Sequence, residues 1–279
     1  MREIDSKRIE ESIRNLCIEA NYFLSDDVKE KLSNAYKEED FEIGKDVLDK
    51  LLQNVEIAKY ENMPICQDTG MTLVFIEIGQ DVHVNGDIEE AINNGVRRGY
   101  SDGYLRKSVV GDPIKRVNTK DNTPAVIYYN IVSGDKLKIT VAPKGFGSEN
   151  MSRIKMLKPS DGLQGVKDFI IETVEIAGPN PCPPIVVGVG IGGTFDRVAL
   201  LSKKALIRPL NIRNSDPYYK DLEEELLTKI NNLGIGPAGF GGRTTALSVN
   251  IETFPTHIAG LPVAVNINCH ATRHKEIIL

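Results

Sequence analysis

The sequence is poor in cysteine, lacks tryptophan and contains no long hydrophobic run. No stretch approaches the roughly eighteen apolar residues of a membrane span. The opening MREIDSKRIEESI is charged and amphipathic rather than leader-like, so a cytoplasmic protein with no membrane association is expected. The four cysteines, Cys17, Cys66, Cys182 and Cys269, are too few and too dispersed for a disulfide scaffold in 279 residues. In a reducing compartment they are free thiols or ligands. Strong charge of one sign is missing as well: a net charge of -5 argues against a nucleic-acid partner. No repeat, low-complexity tract or compositional break marks a linker. The missing tryptophan carries no structural reading.

What is there describes an ordinary globular chain, 41% hydrophobic and 26% charged, long enough to bury well over half of its unfolded surface. Apolar residues at helical spacing (Ile9, Ile13, Leu16, Cys17, Ala20; then Ile43, Val47, Leu51, Val55, Ala58) predict that residues 1–60 are helical. Cys17, on the first stripe, reads as a small buried hydrophobe.

Residues 61–279 alternate strands and helices. MTLVFIEI predicts a strand and residues 88–105 a helix; PAVIYYNIV and KLKITVA, around Ser133, Gly134 and Asp135, predict a hairpin. A helix with apolar positions Val166, Phe169, Ile170, Val174 and Ile176 precedes a glycine stop. PPIVVGVGIGGT reads as strand and turn leading into a helix over 195–206, DLEEELLTKINNLG as a further helix, TTALSVNIETF and LPVAVNINC as two more strands. The expected class is α/β (mixed α+β): N-terminal helices followed by mixed sheets with flanking helices, in one domain over 1–279.

Gly188, Gly190 and Gly193 in GVGIGGT fit G-x-G-x-x-G between a strand and a helix, the setting of a dinucleotide fingerprint. An NAD-binding oxidoreductase is therefore a second function class. A Rossmann unit puts an acid about twenty residues on, ending a parallel strand. Here that region is RPLNIRNSDPYY, with two prolines and little strand character. An anion site at the helix start and a purely structural turn fit equally well. GIGPAGFGGRTTA, with Arg243 and two threonines, reads as another anion loop or a segment closing over a site.

Cys66, Cys182 and Cys269 differ from Cys17 in standing beside punctuation and polar groups: PICQDTG, GPNPCPPI and NINCHATRH. Prolines around Cys182 remove donors and stiffen the chain. Three converging thiolates could hold zinc with His270 as fourth ligand, or an iron–sulfur cluster with one iron lacking a protein ligand. Their spacing matches no compact local metal motif, and three buried thiols account for them as well.

PICQDTG, LRKSVVGDP, APKGFGSENMS, PNPCPPIVVGVGIGGT and PTHIAGLPVAVNINCHATR resemble, in order, the motifs of the class I, iron–sulfur-dependent fumarate hydratases and the related L-tartrate dehydratases. The resemblance spans about residues 62–273. It implies a 4Fe-4S cluster held by Cys66, Cys182 and Cys269, with Cys17 outside the motifs. It places Gln67, Arg106 and Gly147 as substrate-binding residues for a C4 dicarboxylate, and Asp68 and His257 as catalytic ones. Read without it, Asp68 is a turn cap, His257 a satisfied core histidine and Arg106 a solvated helix charge.

Single-chain members of the family continue into a further C-terminal domain that carries the base and more carboxylate-binding residues. The resemblance therefore implies an alpha subunit whose site is completed by a beta subunit, in a heterotetramer of two alpha and two beta. The expected reaction is hydration of fumarate to (S)-malate, with L-tartrate or a methyl-substituted diacid as alternatives. A third class, an iron–sulfur carrier or zinc scaffold, would need a fourth ligand from His270 or Cys17.

Overall fold

Asp5 closes a short first strand and caps the first helix, its carboxylate accepting a hydrogen bond of 2.8 Å from the Lys7 N–H. In the computed structural model, which describes residues 1–279, β1 (Arg2–Asp5) thus runs into α1 (Ser6–Tyr22). α2 (Asp26–Glu38) and α3 (Glu42–Glu61) complete the expected helical N-terminal part. Ile9, Ile13, Leu16, Cys17 and Ala20 are buried along α1, as their spacing predicts. On α3 the buried face is Gly44, Leu48, Val55 and Ala58, while Ile43 is exposed. The remaining elements are β2 (Met71–Gly79), β3 (Val82–Asn85), α4 (Ile88–Asp102), β4 (Val126–Val132), β5 (Leu137–Lys144), α5 (Phe146–Glu149), β6 (Arg153–Leu157), α6 (Gly162–Ala177), β7 (Ile185–Gly192), α7 (Phe195–Leu206), α8 (Pro217–Asn231), β8 (Ala246–Phe254), β9 (Leu261–Asn268) and β10 (Lys275–Ile278). The class is mixed α/β, as expected, and no helix is long and apolar enough to cross a membrane.

Two compact units divide the chain: one of Met1–Leu24, Val55–Phe146 and Arg273–Leu279, the other of Ser25–Asn54 and Gly147–Thr272. In the first, the four-stranded sheet runs β10-β5-β2-β4. β4 and β5 are therefore not the predicted hairpin, because β2 lies between them, parallel to β4 and antiparallel to β5. The turn after β4 folds over the end of β2, where the Gly79, Gln80 and Asp81 N–H groups donate to the carbonyls of Lys136, Val132 and Gly134. β2 is buried almost throughout Thr72–Ile76, and the central position removes that apolar run from water on both faces. α1 packs closely on α4. A Cβ on Gly95 would lie 2.6 Å from the Glu10 carbonyl oxygen, and one on Gly99 2.8 Å from the Cys17 Cβ. The core of this unit joins these helices to Val74, Ile76, Ile139 and Val141 of the sheet.

The sheet of the second unit runs β6-β9-β7-β8, with β7 parallel to β8 and antiparallel to β9. Both sheets thus have the same plan: a central strand, its parallel neighbour next among the sheet's strands along the chain, and an antiparallel neighbour on the other side. The sequence shows no such repeat. On α6, Val166, Phe169, Ile170 and Val174 are buried as predicted, but Ile176 is 59% exposed, and Thr173 and Ala177 complete the stripe. Val187 and Val189 point into the core with Phe169, Ile170, Leu222 and Leu226 of α6 and α8. The alternation of the strand turns Gly188 and Gly190 to the opposite face, against α7.

That placement corrects the dinucleotide reading. Gly188 and Gly190 lie inside β7 rather than in a strand-to-helix turn, and a Cβ on each would come within 2.3 Å and 2.2 Å of the carbonyl oxygens of Ser202 and Val198. The glycines let a helix approach a strand. The segment after α7 forms no strand; Asp216 caps α8 directly, with Pro217 at its first position. At the start of α7, the Thr194 hydroxyl and the N–H groups of Asp196 and Arg197 hold the Asp196 carboxyl below its ordinary pKa, so the chain's own acid occupies that helix start. The second glycine segment is likewise anchored. Gly236 N–H donates to the Thr245 hydroxyl, 3.2 Å, and Arg243 N–H to the buried Glu39 carboxylate, 2.8 Å, while the Arg243 side chain pairs with Asp40.

Replacing Gly190 by Ala is expected to lower stability by roughly 1–3 kcal/mol, because a methyl group would be forced into the Val198 carbonyl. Denaturant titration checks this, and an unchanged midpoint would refute the close approach.

Candidate active site

A loop that leaves regular structure to present a thiol must find other partners for its backbone groups. The loop after α3 does so densely. Ile65 is buried and its N–H donates to the Asn21 carbonyl, 2.9 Å. Cys66 follows, half-buried, its sulfur accepting from the Asp68 N–H at 3.4 Å and lying 3.5 Å from the Gln67 side-chain oxygen. Gln67 itself is exposed. Asp68 uses both carboxylate oxygens: Oδ1 accepts from Gly70 N–H at 3.0 Å and Oδ2 from Phe146 N–H at 2.8 Å. The turn-cap reading of Asp68 is therefore met.

Three side chains hold the next residues from behind. The buried Tyr100 hydroxyl lies 2.6 Å from the Thr69 carbonyl and 3.1 Å from that of Gly70. Buried Asn122 donates to the Gly70 carbonyl at 3.2 Å and accepts from Ser108 N–H at 2.7 Å. Buried Arg273 donates through Nη2 to the Asp68 carbonyl. Thr69 in turn donates to the Arg106 carbonyl at 2.9 Å, so the segments carrying Gln67, Asp68 and Arg106 are tied together. Arg106 lies beyond the end of α4 rather than on it, and its side chain is exposed.

In the second unit, Cys182 stands exposed in the turn after α6, with φ of 56 and its N–H donating to the Pro179 carbonyl at 3.1 Å. Cys269 follows β9 and is half-buried. Because a carbonyl only accepts, His270 donates from Nδ1 to the Cys182 carbonyl, 3.0 Å, and joins the two cysteine turns. Gly147 belongs to the same surroundings, a Cβ there being 3.9 Å from the Asn180 carbonyl oxygen. Glu149 and Ser152 of GSENMS bond to the Asn266 amide at 2.7 and 2.8 Å, tying that motif to β9.

His257 sits on the exposed loop between β8 and β9 and is not a core histidine. Its Nδ1 accepts from Ala259 N–H at 3.2 Å, which in the neutral ring puts the proton on Nε2. Thr256 anchors the loop to the Gly193 carbonyl, 2.9 Å.

The sequence-predicted residues thus fall as Cys66, Gln67, Asp68 and Arg106 in one unit and Gly147, Cys182, His257 and Cys269 in the other. Within neither unit do three His, Cys, Asp or Glu side chains gather at metal-binding distance. Tyr100, Asn122, Glu149 and Arg273 escaped the sequence reading. Arg273 ends the CHATR run and could have been noticed as a charge following an apolar strand; Tyr100 and Asn122 carry no local signal.

The sequence matches the family described as Fumarate hydratase (Fumerase) over residues 10–278. The chain belongs to the fumarate hydratase (Fumerase) family. A relative from Methanocaldococcus jannaschii, provisionally named L(+)-tartrate dehydratase subunit alpha, is 45% identical over 273 residues, covering 95% of each chain. Proteins named L(+)-tartrate dehydratase subunit alpha from Escherichia coli O157:H7 and strain K12 are each 32% identical over 276 residues, covering 98% of this chain and 91% of theirs. The resemblance carried by the five motifs therefore extends, at the level of the fumarate hydratase family, over nearly the whole chain.

The four thiols should differ in reactivity. Burial pushes the Cys17 thiol up to about 12, against a lowering hydrogen bond from Thr72, and the residue is fully enclosed. Iodoacetamide is expected to modify Cys66, Cys182 and Cys269 in the folded chain and to reach Cys17 only after denaturation. Peptide mass spectrometry reads the result, and early modification of Cys17 would contradict its placement.

Proposed function

We propose that this chain is the alpha subunit of an iron–sulfur hydro-lyase interconverting fumarate and (S)-malate, its active site completed by a beta subunit. The family match over residues 10–278 carries the reading. The whole chain acts as one cluster-binding catalytic domain, with Cys66, Cys182 and Cys269 as the ligands of a 4Fe-4S cluster. The donor set fits such a group: these thiols stand on loop edges and are exposed or half-buried, while Cys17 is sealed in a core. Three soft thiolates suit iron–sulfur chemistry better than a hard cation. When bound, the cluster supplies a Lewis-acidic iron with a position open to a substrate oxygen.

The chain's own residues do the rest of the binding and orienting. Arg106 offers a planar fork to one carboxylate of a C4 diacid, and Gln67 adds a neutral donor and acceptor. Asp68, immobilised by Gly70 and Phe146, serves as a fixed acceptor that orients a substrate or water hydroxyl. His257 holds its proton on Nε2 for exchange with a reacting oxygen. Gly147, lacking a side chain, keeps the approach to the Cys182 turn open. The names of the relatives support a second kind of subunit, which we assign to a complex of two alpha and two beta in the reducing cytoplasm.

L(+)-tartrate is the second substrate reading, prompted by the names that the relatives carry. Both substrates place a hydroxyl beside a carboxylate, so Arg106 serves either. Assay of the co-expressed subunits with malate, fumarate and L(+)-tartrate decides, and a higher kcat/KM for L(+)-tartrate reassigns the substrate.

The alpha chain alone, reconstituted anaerobically, is expected to show no hydratase activity; robust turnover without beta would refute the shared site. Cys66→Ser should lose cluster and activity together. Asp68→Asn should keep iron and sulfide but slow turnover by about a hundredfold or more. Equal behaviour of the two variants would remove the division of roles between them.

A further inference from the structure

Arg273 is 5% exposed, and a guanidinium does not give up its proton in a protein. Its Nη2 group donates to the Asp68 carbonyl, yet the buried Nε and Nη1 groups have no acceptor, and no carboxylate forms an ion pair with it. The ionisable groups nearby leave the charge unanswered. Burial raises both the Tyr100 hydroxyl and the Cys17 thiol, so these stay neutral at physiological pH. The Asp68 carboxylate is turned to the Gly70 and Phe146 N–H groups. Burying a cation without a counter-charge is unfavourable, so a site of this kind calls for an anion.

We propose that Arg273 is the counter-charge and hydrogen-bond donor for the iron–sulfur cluster, on the side of the Cys66 loop that its Nη2 group holds; this rests on the cluster reading given above. Three thiolates outweigh the two positive charges of an oxidised 4Fe-4S core, so the loaded cluster is an anion. A cation beside it, and N–H groups directed at sulfur, stabilise the more reduced state and retain the iron. Arg273 is thus a positioning residue in two respects: it fixes the Asp68 carbonyl, and with it the turn that presents Cys66, and it answers the charge that Cys66 helps to create.

The test uses the full chain with its partner subunit, reconstituted anaerobically as wild type, Arg273→Gln and Arg273→Lys. Iron and sulfide content, the rate of iron loss to a chelator and the cluster's reduction potential are measured, with circular dichroism as the check on folding. Arg273→Gln is expected to lose iron about ten- to a hundredfold faster than wild type and to have a lower potential. Arg273→Lys, which keeps the charge without the planar fork, should fall between them. Wild-type loss rate and potential in folded Arg273→Gln would overturn the inference while leaving the cluster reading intact. If Arg273→Gln does not fold, an unchanged potential and iron-loss rate in Arg273→Lys would overturn it. Wild-type protein that takes up no iron and sulfide would sink the cluster reading itself, and this inference with it.

Discussion

The turn from Cys66 to Gly70 is held by groups that lie far from it in sequence, and everything proposed for the site depends on that clasp. Its carbonyls are met by Tyr100, Asn122 and Arg273, and its amides by the Asp68 carboxylate and the Cys66 sulfur. A loop free of regular pairing would otherwise face water or leave buried groups unpaired, and either would blur the position of the thiol. The same contacts carry Arg106 through Thr69 and Asn122, so cysteine, amide, carboxylate and guanidinium are placed by one network. Rigidity here is a matter of hydrogen-bond count.

Packing explains why the glycine motifs look functional. In β7 and α4 they occupy positions where backbone meets backbone, and the distances leave no space for a Cβ. A G-x-G-x-x-G pattern can serve close packing of a strand against a helix, as Gly188 and Gly190 do here, without a phosphate between them. Likewise, the strand pairs β4 with β5 and β8 with β9 are neighbours along the chain but are separated in their sheets by β2 and β7. Each inserted strand carries a long buried apolar run, which suits a central position with a neighbour on either side.

Much of the fold was legible. Helical spacing located the buried face of α1, alternation and apolar runs located β2, β5, β7, β8 and β9, and proline and glycine located the breaks. Pairing order was not, because strand-like runs around Ser133 and Asp135 carry no record of a third strand between them. Nor was the division into two units, since each is assembled from segments that are separate in sequence. Ile43 and Ile176 show the limit of the helical pattern: both are apolar and both face outward.

By itself the sequence determined the family, through five ordered motifs, and it singled out Cys66, Cys182 and Cys269 from Cys17 by the punctuation around them. Local propensity and burial are written residue by residue, so they survive reading in one dimension. Tertiary structure alone decided that Asp68 is clamped by Phe146, that His270 bridges the two cysteine turns of its unit, and that Arg273 is buried with unanswered donors. Those facts come from contacts across scores of residues, and only the folded chain brings such groups within hydrogen-bonding reach.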